Sequence, residues 1–196
     1  MRADLPGAEI LANHLADLKG PRSDYDEREG LRPAAVMLPL VDTEEGASLL
    51  FTRRSRQLPH HRGQVAFPGG LREECDDGPY ATALRESVEE VGVEAGAVRF
   101  IASLDPTETL REFRILPFLS LWPSREYSPK SEDEVERVFT VALAWLLDPG
   151  SQRQVILEEG GHRLSVPAFS IDGEIIWGAT FRMTQDLLAR LRKAFP

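Results

Sequence analysis

Apolar residues recur along this chain with two different periods, and the switches between them divide it into helices and strands. Residues 5–18 carry Ile10, Leu11, Leu15 and Leu18 at the spacing of one face of an amphipathic helix. A charged, turn-rich stretch over 21–32 follows. The run Ala34-Ala35-Val36-Met37-Leu38-Pro39-Leu40 then predicts a buried strand, closed by a turn at 42–46 and answered by a second strand over 48–53. Residues 63–67 predict a short strand running into Pro68-Gly69-Gly70, and 71–78 an acidic loop. A helix is expected from Pro79, at a first-turn position where proline is tolerated, to Val91, with Gly92 as its stop. Strands are expected over 98–104 and 114–121, the latter demoted to an edge or bulged position by Pro117. The charged residues 131–137 lead into a strand-to-helix passage ending at 146–150, and 154–157 with 162–169 read as a late hairpin around Gly160-Gly161. Phe181, Leu187, Leu188 and Leu191, followed by a basic end, predict a C-terminal helix over 180–195. Strands alternating with helices, with hairpins among the strands, imply an α/β fold with a mixed sheet between helical layers.

Composition narrows this picture. With 196 residues, 42% of them hydrophobic, the chain suits one well-buried core, so a single domain over 1–196 is expected, with an N-terminal and a C-terminal helix. The net charge of -9 repels nucleic-acid backbones and excludes them as partners, but leaves room for a small phosphorylated ligand held by local arginines or a cation. Cys75 is the only cysteine, so there is no disulfide framework. Residues 1–20 lack an apolar core with a small-residue cleavage site, and the longest nearly apolar run, 138–147, falls short of the roughly 20 residues of a membrane helix. A cytoplasmic protein without a membrane partner is expected.

The predicted helix over 79–91 brings in chemistry. Glu86, Glu89 and Glu90 stand at i, i+3 and i+4 and project from nearly one face. Three like charges so close favour a hard divalent cation among them, and Arg85 offers paired donors to orient one carboxylate. A solvated acidic face has the same pattern. The Gly69-Gly70 turn in front weighs toward the first reading, because bare backbone there lets a carbonyl join a metal shell or an amide approach a phosphate.

Residues 70–93 resemble the Nudix box, whose second half reads here Arg85-Glu86-Ser87-Val88-Glu89-Glu90-Val91-Gly92-Val93. Asp77 stands where the box has a glutamate eight residues before the arginine, Ser87 replaces the usual aliphatic residue, and the spacing from Gly70 to Asp77 is one residue longer than usual. The segment over 49–70, from Leu49-Leu50-Phe51-Thr52-Arg53 to Gly63-Gln64-Val65-Ala66-Phe67-Pro68-Gly69-Gly70, is similar to the signature upstream of the box in coenzyme A pyrophosphatases of that superfamily. The longer spacing and the small residue at Ser87 fit that subfamily; Pro59 departs from its arginine.

The resemblance implies a Nudix-type α/β/α sandwich and metal-dependent hydrolysis of the pyrophosphate of coenzyme A or a derivative, giving 3′,5′-ADP and 4′-phosphopantetheine or its acyl form. It implies Mg²⁺ or Mn²⁺ on Glu86, Glu90, Glu89 and the Gly69 carbonyl, with Glu89 and Arg85 as the catalytic pair. Glu108, Glu132 and Glu134, in predicted loops, are alternative bases. The basic stretch 53–62, in an acidic protein, suits phosphate recognition. Arg53, His61 and Arg62, with the Gly70 backbone, are the expected substrate contacts. His60 and His61 lack the further ligands of a zinc site. The competing readings are a Nudix hydrolase of another nucleoside diphosphate derivative, such as ADP-ribose, and a nucleotide-binding regulator without catalysis.

Overall fold

The apolar run that begins at Ala34 lies at the centre of the molecule because both of its faces are covered. In the computed structural model, which describes residues 5–16, 22, 24–25, 27–109, 112–159 and 162–195, it occupies β1 (Arg32–Thr43), buried throughout 34–41. The same sheet contains β2 (Gly46–Arg54), β3 (Val65–Ala66), β4 (Gly69–Leu71), β5 (Arg99–Ser103), β6 (Thr107–Glu108), β7 (Phe113–Leu121) and β8 (Val135–Ala142). Its order is β3-β2-β1-β7-β5, with β4 on β1, β6 on β7 and β8 on β2. The β1–β7 ladder is parallel and the β1–β2 hairpin antiparallel, so the sheet is mixed.

Side-chain alternation sorts the core into two layers. Val36, Leu38 and Leu40 of β1, with Leu49 and Phe51 of β2, pack on Leu11 and Leu15 of α1 (Ala8–Leu15) and on Phe181 and Leu187 of α4 (Gly178–Ala194). Ala35, Met37 and Val41, with Leu50, Leu116 and Phe118, pack on Ala83 and Val91 of α2 (Pro79–Val91). The result is the expected α/β/α sandwich. A short α3 (Leu143–Leu146) completes the first layer. No helix among the described residues is long and apolar enough to cross a membrane.

Three expectations change. First, the predicted break at Pro117 does not make β7 an edge: it runs unbroken between β1 on one side and β5 and β6 on the other. The proline is tolerated because it falls between the β5 and β6 ladders, where its carbonyl accepts from Leu104 N–H (2.9 Å) and its absent N–H leaves no ladder bond broken. Secondly, the late hairpin belongs to a separate sheet of β9 (Gln152–Glu159), β10 (His162–Ile171) and β11 (Glu174–Ile176); its tip at 160–161 lies outside the described residues, as does Leu18. Thirdly, Gly69 and Gly70 are not merely a turn. They form β4, whose Gly69 and Gly70 pair with Val36 and Ala35 of β1.

That pairing requires glycine. Gly69 has φ of 149°, and a Cβ there would sit 2.3 Å from the Ala35 carbonyl oxygen and 2.6 Å from Val36 Cα. Backbone strain and overpacking each cost about 1–3 kcal/mol. Gly69→Ala is expected to lower the unfolding free energy in urea by about 3 kcal/mol; a loss below about 1 kcal/mol would mean that the β1–β4 approach yields easily.

Candidate functional site

The site is built where β4 delivers bare backbone to the side of α2. The helix starts at Pro79, and its C-terminus is closed by Gly92 at φ 72°, whose N–H donates to the Val88 carbonyl. Lys130 Nζ also donates to the Val88 carbonyl (3.3 Å), and Arg125 Nη2 to that of Gly92 (3.0 Å), placing two cations at the helix's negative end.

Glu86 and Glu90 face the glycines. Glu90 is 3% exposed, and one of its oxygens accepts from Gly69 N–H at 3.2 Å. A Cβ on Gly70 would lie 2.3 Å from Glu86 Oε1, so Gly70 is what leaves room for that carboxylate. Burial, and then the neighbouring Glu86 charge, push the Glu90 carboxyl up to about 8; the Gly69 amide and Arg54 oppose the shift, and Glu134 adds to it. Burial also raises Glu86, against the pull of Arg85 and with Glu89 and Glu134 adding to it. Two carboxylates held close in a low-dielectric corner, each disfavoured as an anion, form a hard-oxygen pair that a divalent cation would satisfy. The donor set therefore fits Mg²⁺ or Mn²⁺.

Glu89 behaves differently. Its side chain is 53% exposed and accepts from Arg85 Nη1 at 3.2 Å. Among the described residues, no three His, Cys, Asp or Glu side chains are arranged to hold a metal ion together as they stand. The structure brings together Glu86, Glu90, Gly69 and Gly70, and leaves Glu89 on the rim. Mg²⁺ commonly needs only one or two protein carboxylates, with water and substrate phosphate completing its shell.

Arg85 is the hinge of the cluster. Nε and Nη2 fork onto Asp76 at 3.0 and 3.2 Å, Nη1 reaches Glu86 Oε1 at 3.0 Å, and Nη2 also donates to the Leu71 carbonyl at 3.2 Å. The hydrogen bonds with Asp76 hold the guanidinium strongly protonated. Asp76, with a side chain 3% exposed, accepts in addition from Thr82 Oγ1 (2.6 Å) and Glu73 N–H (2.8 Å). Burial alone would raise its carboxyl, but these donors outweigh it and hold the group at about 2. Motif spacing pointed to Asp77, which is exposed; its neighbour Asp76 supplies the carboxylate.

The expected substrate contacts are more scattered. Arg53 is engaged by Glu174 (2.9 Å) and Glu136 (3.0 Å). His61 lies against Gln64 (3.1 Å) and Glu112 (3.2 Å), and Arg62 Nε donates to the Leu58 carbonyl at 2.7 Å. The arginine whose charge reaches Glu90 is Arg54, whose Nε is buried without a hydrogen-bond partner among the described residues. The available signal was strand alternation: Arg53 and Arg54 are neighbours on β2 and face opposite sides. Arg54 also closes the basic loop, with its N–H on the Gln64 carbonyl (3.0 Å) and its carbonyl accepting from Gly63 N–H (3.1 Å). Of the alternative bases, Glu108 is bound by Arg114 (2.5 Å) and Arg28 (3.3 Å), whereas Glu134 is exposed and close enough to perturb both Glu86 and Glu90. A cavity of about 610 Å³ is walled by Tyr25, Arg72 and Asp76 and touches none of the three helix glutamates.

Comparison with known proteins gives a consistent picture. Residues 30–158 match the model of the NUDIX domain. A relative from Escherichia coli (strain K12), the uncharacterized Nudix hydrolase NudL, is 34% identical over 160 residues, covering 82% of this chain and 83% of that protein. Among solved structures, RenU, a Nudix hydrolase from M. smegmatis, superposes with a TM-score of 0.52 at 15% identity, over 83% of this chain and 86% of that one. The NUDIX domain of Shewanella oneidensis NrtR, solved with ADP ribose, gives 0.51 at 16% identity over 96% and 99%. At those identities the two structures speak for the fold alone.

Proposed function

Since the chain belongs to the NUDIX domain family, as a Nudix pyrophosphohydrolase, we propose that it hydrolyses the pyrophosphate of coenzyme A or a derivative with the help of Mg²⁺ or Mn²⁺. The observation that carries the reading is the pair formed by buried Glu90 and half-buried Glu86 against the bare Gly69-Gly70 backbone, with the basic loop after Arg54 beside it.

In this reading Glu86 and Glu90 would hold the cation, and Glu89 would join them on turning away from Arg85. The cation, when bound, offsets the negative charge that gathers on the pyrophosphate as a water attacks phosphorus. Arg85, clamped by Asp76, keeps Glu86 oriented. Arg54 supplies a charged fork for a phosphate oxygen, a role first expected of Arg53. His61 and Arg62 contact the 3′-phosphate end of the substrate from the loop, and the Gly70 backbone lies along the pyrophosphate. Glu89, exposed and released from Arg85, takes the proton from the attacking water at its carboxylate; Glu134 is the second candidate for that role.

The test is product identification. With coenzyme A and Mg²⁺ the expected products are 3′,5′-ADP and 4′-phosphopantetheine, and dephospho-coenzyme A is expected to react more slowly because it lacks the 3′-phosphate. Faster cleavage of ADP-ribose than of coenzyme A would move the substrate to another nucleoside diphosphate derivative. Tight metal-independent binding without any hydrolysis would replace the enzyme with a binding module.

A further inference from the structure

Tyr25 lies ahead of residue 30, where the family match begins, yet it is 5% exposed and bonded to the helix that carries the carboxylates. The Arg72 guanidinium covers its ring, 5.0 Å from the centroid. Its hydroxyl meets Thr82 Oγ1, which is fully buried in the first turn of α2. Thr82 has a single hydroxyl proton and donates it to Asp76 Oδ2 at 2.6 Å. At the Tyr25–Thr82 contact the donor is therefore Tyr25.

This direction makes a relay that meets the Arg85 fork at Asp76. Tyr25 O–H donates to Thr82, Thr82 O–H donates to Asp76, and Asp76 accepts the Arg85 fork whose third nitrogen holds Glu86 Oε1. Buried hydrogen bonds in series polarise one another, so the Tyr25 donor strengthens the Thr82–Asp76 bond and with it fixes the orientation of the Asp76 carboxylate that receives Arg85. Arg85 has competing partners within reach, Glu89 at 3.2 Å and Glu73 at 3.6 Å. An Asp76 left less firmly oriented lets the guanidinium drift toward them and away from Glu86.

We propose that Tyr25 is a positioning residue for the Arg85–Glu86 arm of the carboxylate site, acting through Thr82 and Asp76. The inference rests on reading Glu86 and Glu90 as ligands of a divalent cation. It assigns the segment before the matched domain a part in the site.

The experiment uses the full chain. Tyr25→Phe keeps the ring under Arg72 and removes the donor; Thr82→Val removes the relay, and Thr82→Ser retains it. Mn²⁺ affinity, read by electron paramagnetic resonance titration without substrate, is expected to weaken about three- to tenfold in Tyr25→Phe and in Thr82→Val, less than the 10–100-fold typical of groups that touch metal ligands directly. The double variant should be no weaker than either single one, and Thr82→Ser should stay within about twofold of the parent. The Arg85 Nε–H signal in nitrogen-edited NMR of metal-free protein should broaden or exchange faster in the first two variants and not in the third. Unchanged Mn²⁺ affinity in Tyr25→Phe, additive effects in the double variant, or loss of affinity in Thr82→Ser would each overturn the relay. A parent chain that binds no Mn²⁺ would overturn the cation reading instead, and the Arg85 signal would still decide whether Tyr25 orders the arm.

Discussion

Glu90→Gln is expected to reduce turnover of coenzyme A by on the order of a hundredfold or more, because a cation at such a site contributes several kcal/mol to the transition state and each 1.4 kcal/mol is tenfold. The change is nearly isosteric and keeps an oxygen for the Gly69 amide, so a packing defect does not account for the loss. In the absence of divalent metal, the variant should be at least as stable as the parent. An amide removes a carboxylate that is 3% exposed and lies in the field of Glu86, and it needs no cation to offset it. Opposite signs for activity and metal-free stability set a ligand apart from a structural residue. Turnover within about tenfold of the parent, at saturating Mg²⁺, would remove Glu90 from the metal shell.

Asp76→Ala is expected to cost as much stability as Gly69→Ala, and to do so in a pH-dependent way. Removing one member of a buried pair leaves the other unpaired, at about 3–5 kcal/mol; Arg85 keeps Glu86, Glu89 and the Leu71 carbonyl as partners, so about 3 kcal/mol is expected. The pH dependence follows from the direction of the shift. Folding lowers the Asp76 carboxyl from its ordinary 3.8 to about 2, so its contribution is complete above pH 4–5 and is lost as the pH falls through about 2. The lowered pKa corresponds to about 2 kcal/mol of that contribution. Urea unfolding of parent and variant at pH 7 and again at pH 2.5 should therefore show the gap between them narrowing in acid. A gap that is constant with pH would assign the loss to packing rather than to the carboxylate.

Asp76 also marks where sequence reading reached its limit. The helix over 79–91, its Gly92 stop and the common face of Glu86 and Glu90 follow from period and end signals, and α2 has those bounds. Which of two adjacent aspartates turns inward is decided by the loop before Pro79, where Asp76 caps Glu73 N–H and Asp77 does not. Arg53 and Arg54 pose the same problem on β2, since a one-residue difference on a strand changes the face and only the packed neighbours fix which face is which. The pairing of Gly69 and Gly70 with β1 was hidden because two glycines in sequence signal a turn, and strand membership there comes from a distant partner. Glu89 shares a helix face with Glu86 and Glu90 but sits at its edge, where Arg85 captures it. The interior place of β7 was obscured by Pro117, whose missing N–H matters only if a neighbour was going to accept from it.

The tie between Arg53 and the small sheet has a consequence for how the molecule opens. Glu174, with a side chain 4% exposed, accepts from both Arg53 and Arg137 at 2.9 Å, so a single carboxylate on β11 joins strands β2 and β8. Pulling β11 away takes a shared partner from two guanidinium groups at once, leaving Arg53 with Glu136 alone, and the free energy of that event is shared by three segments far apart in sequence. Amides of 174–176, 53–54 and 135–137 should then exchange with deuterium as one cooperative unit rather than as separate edges.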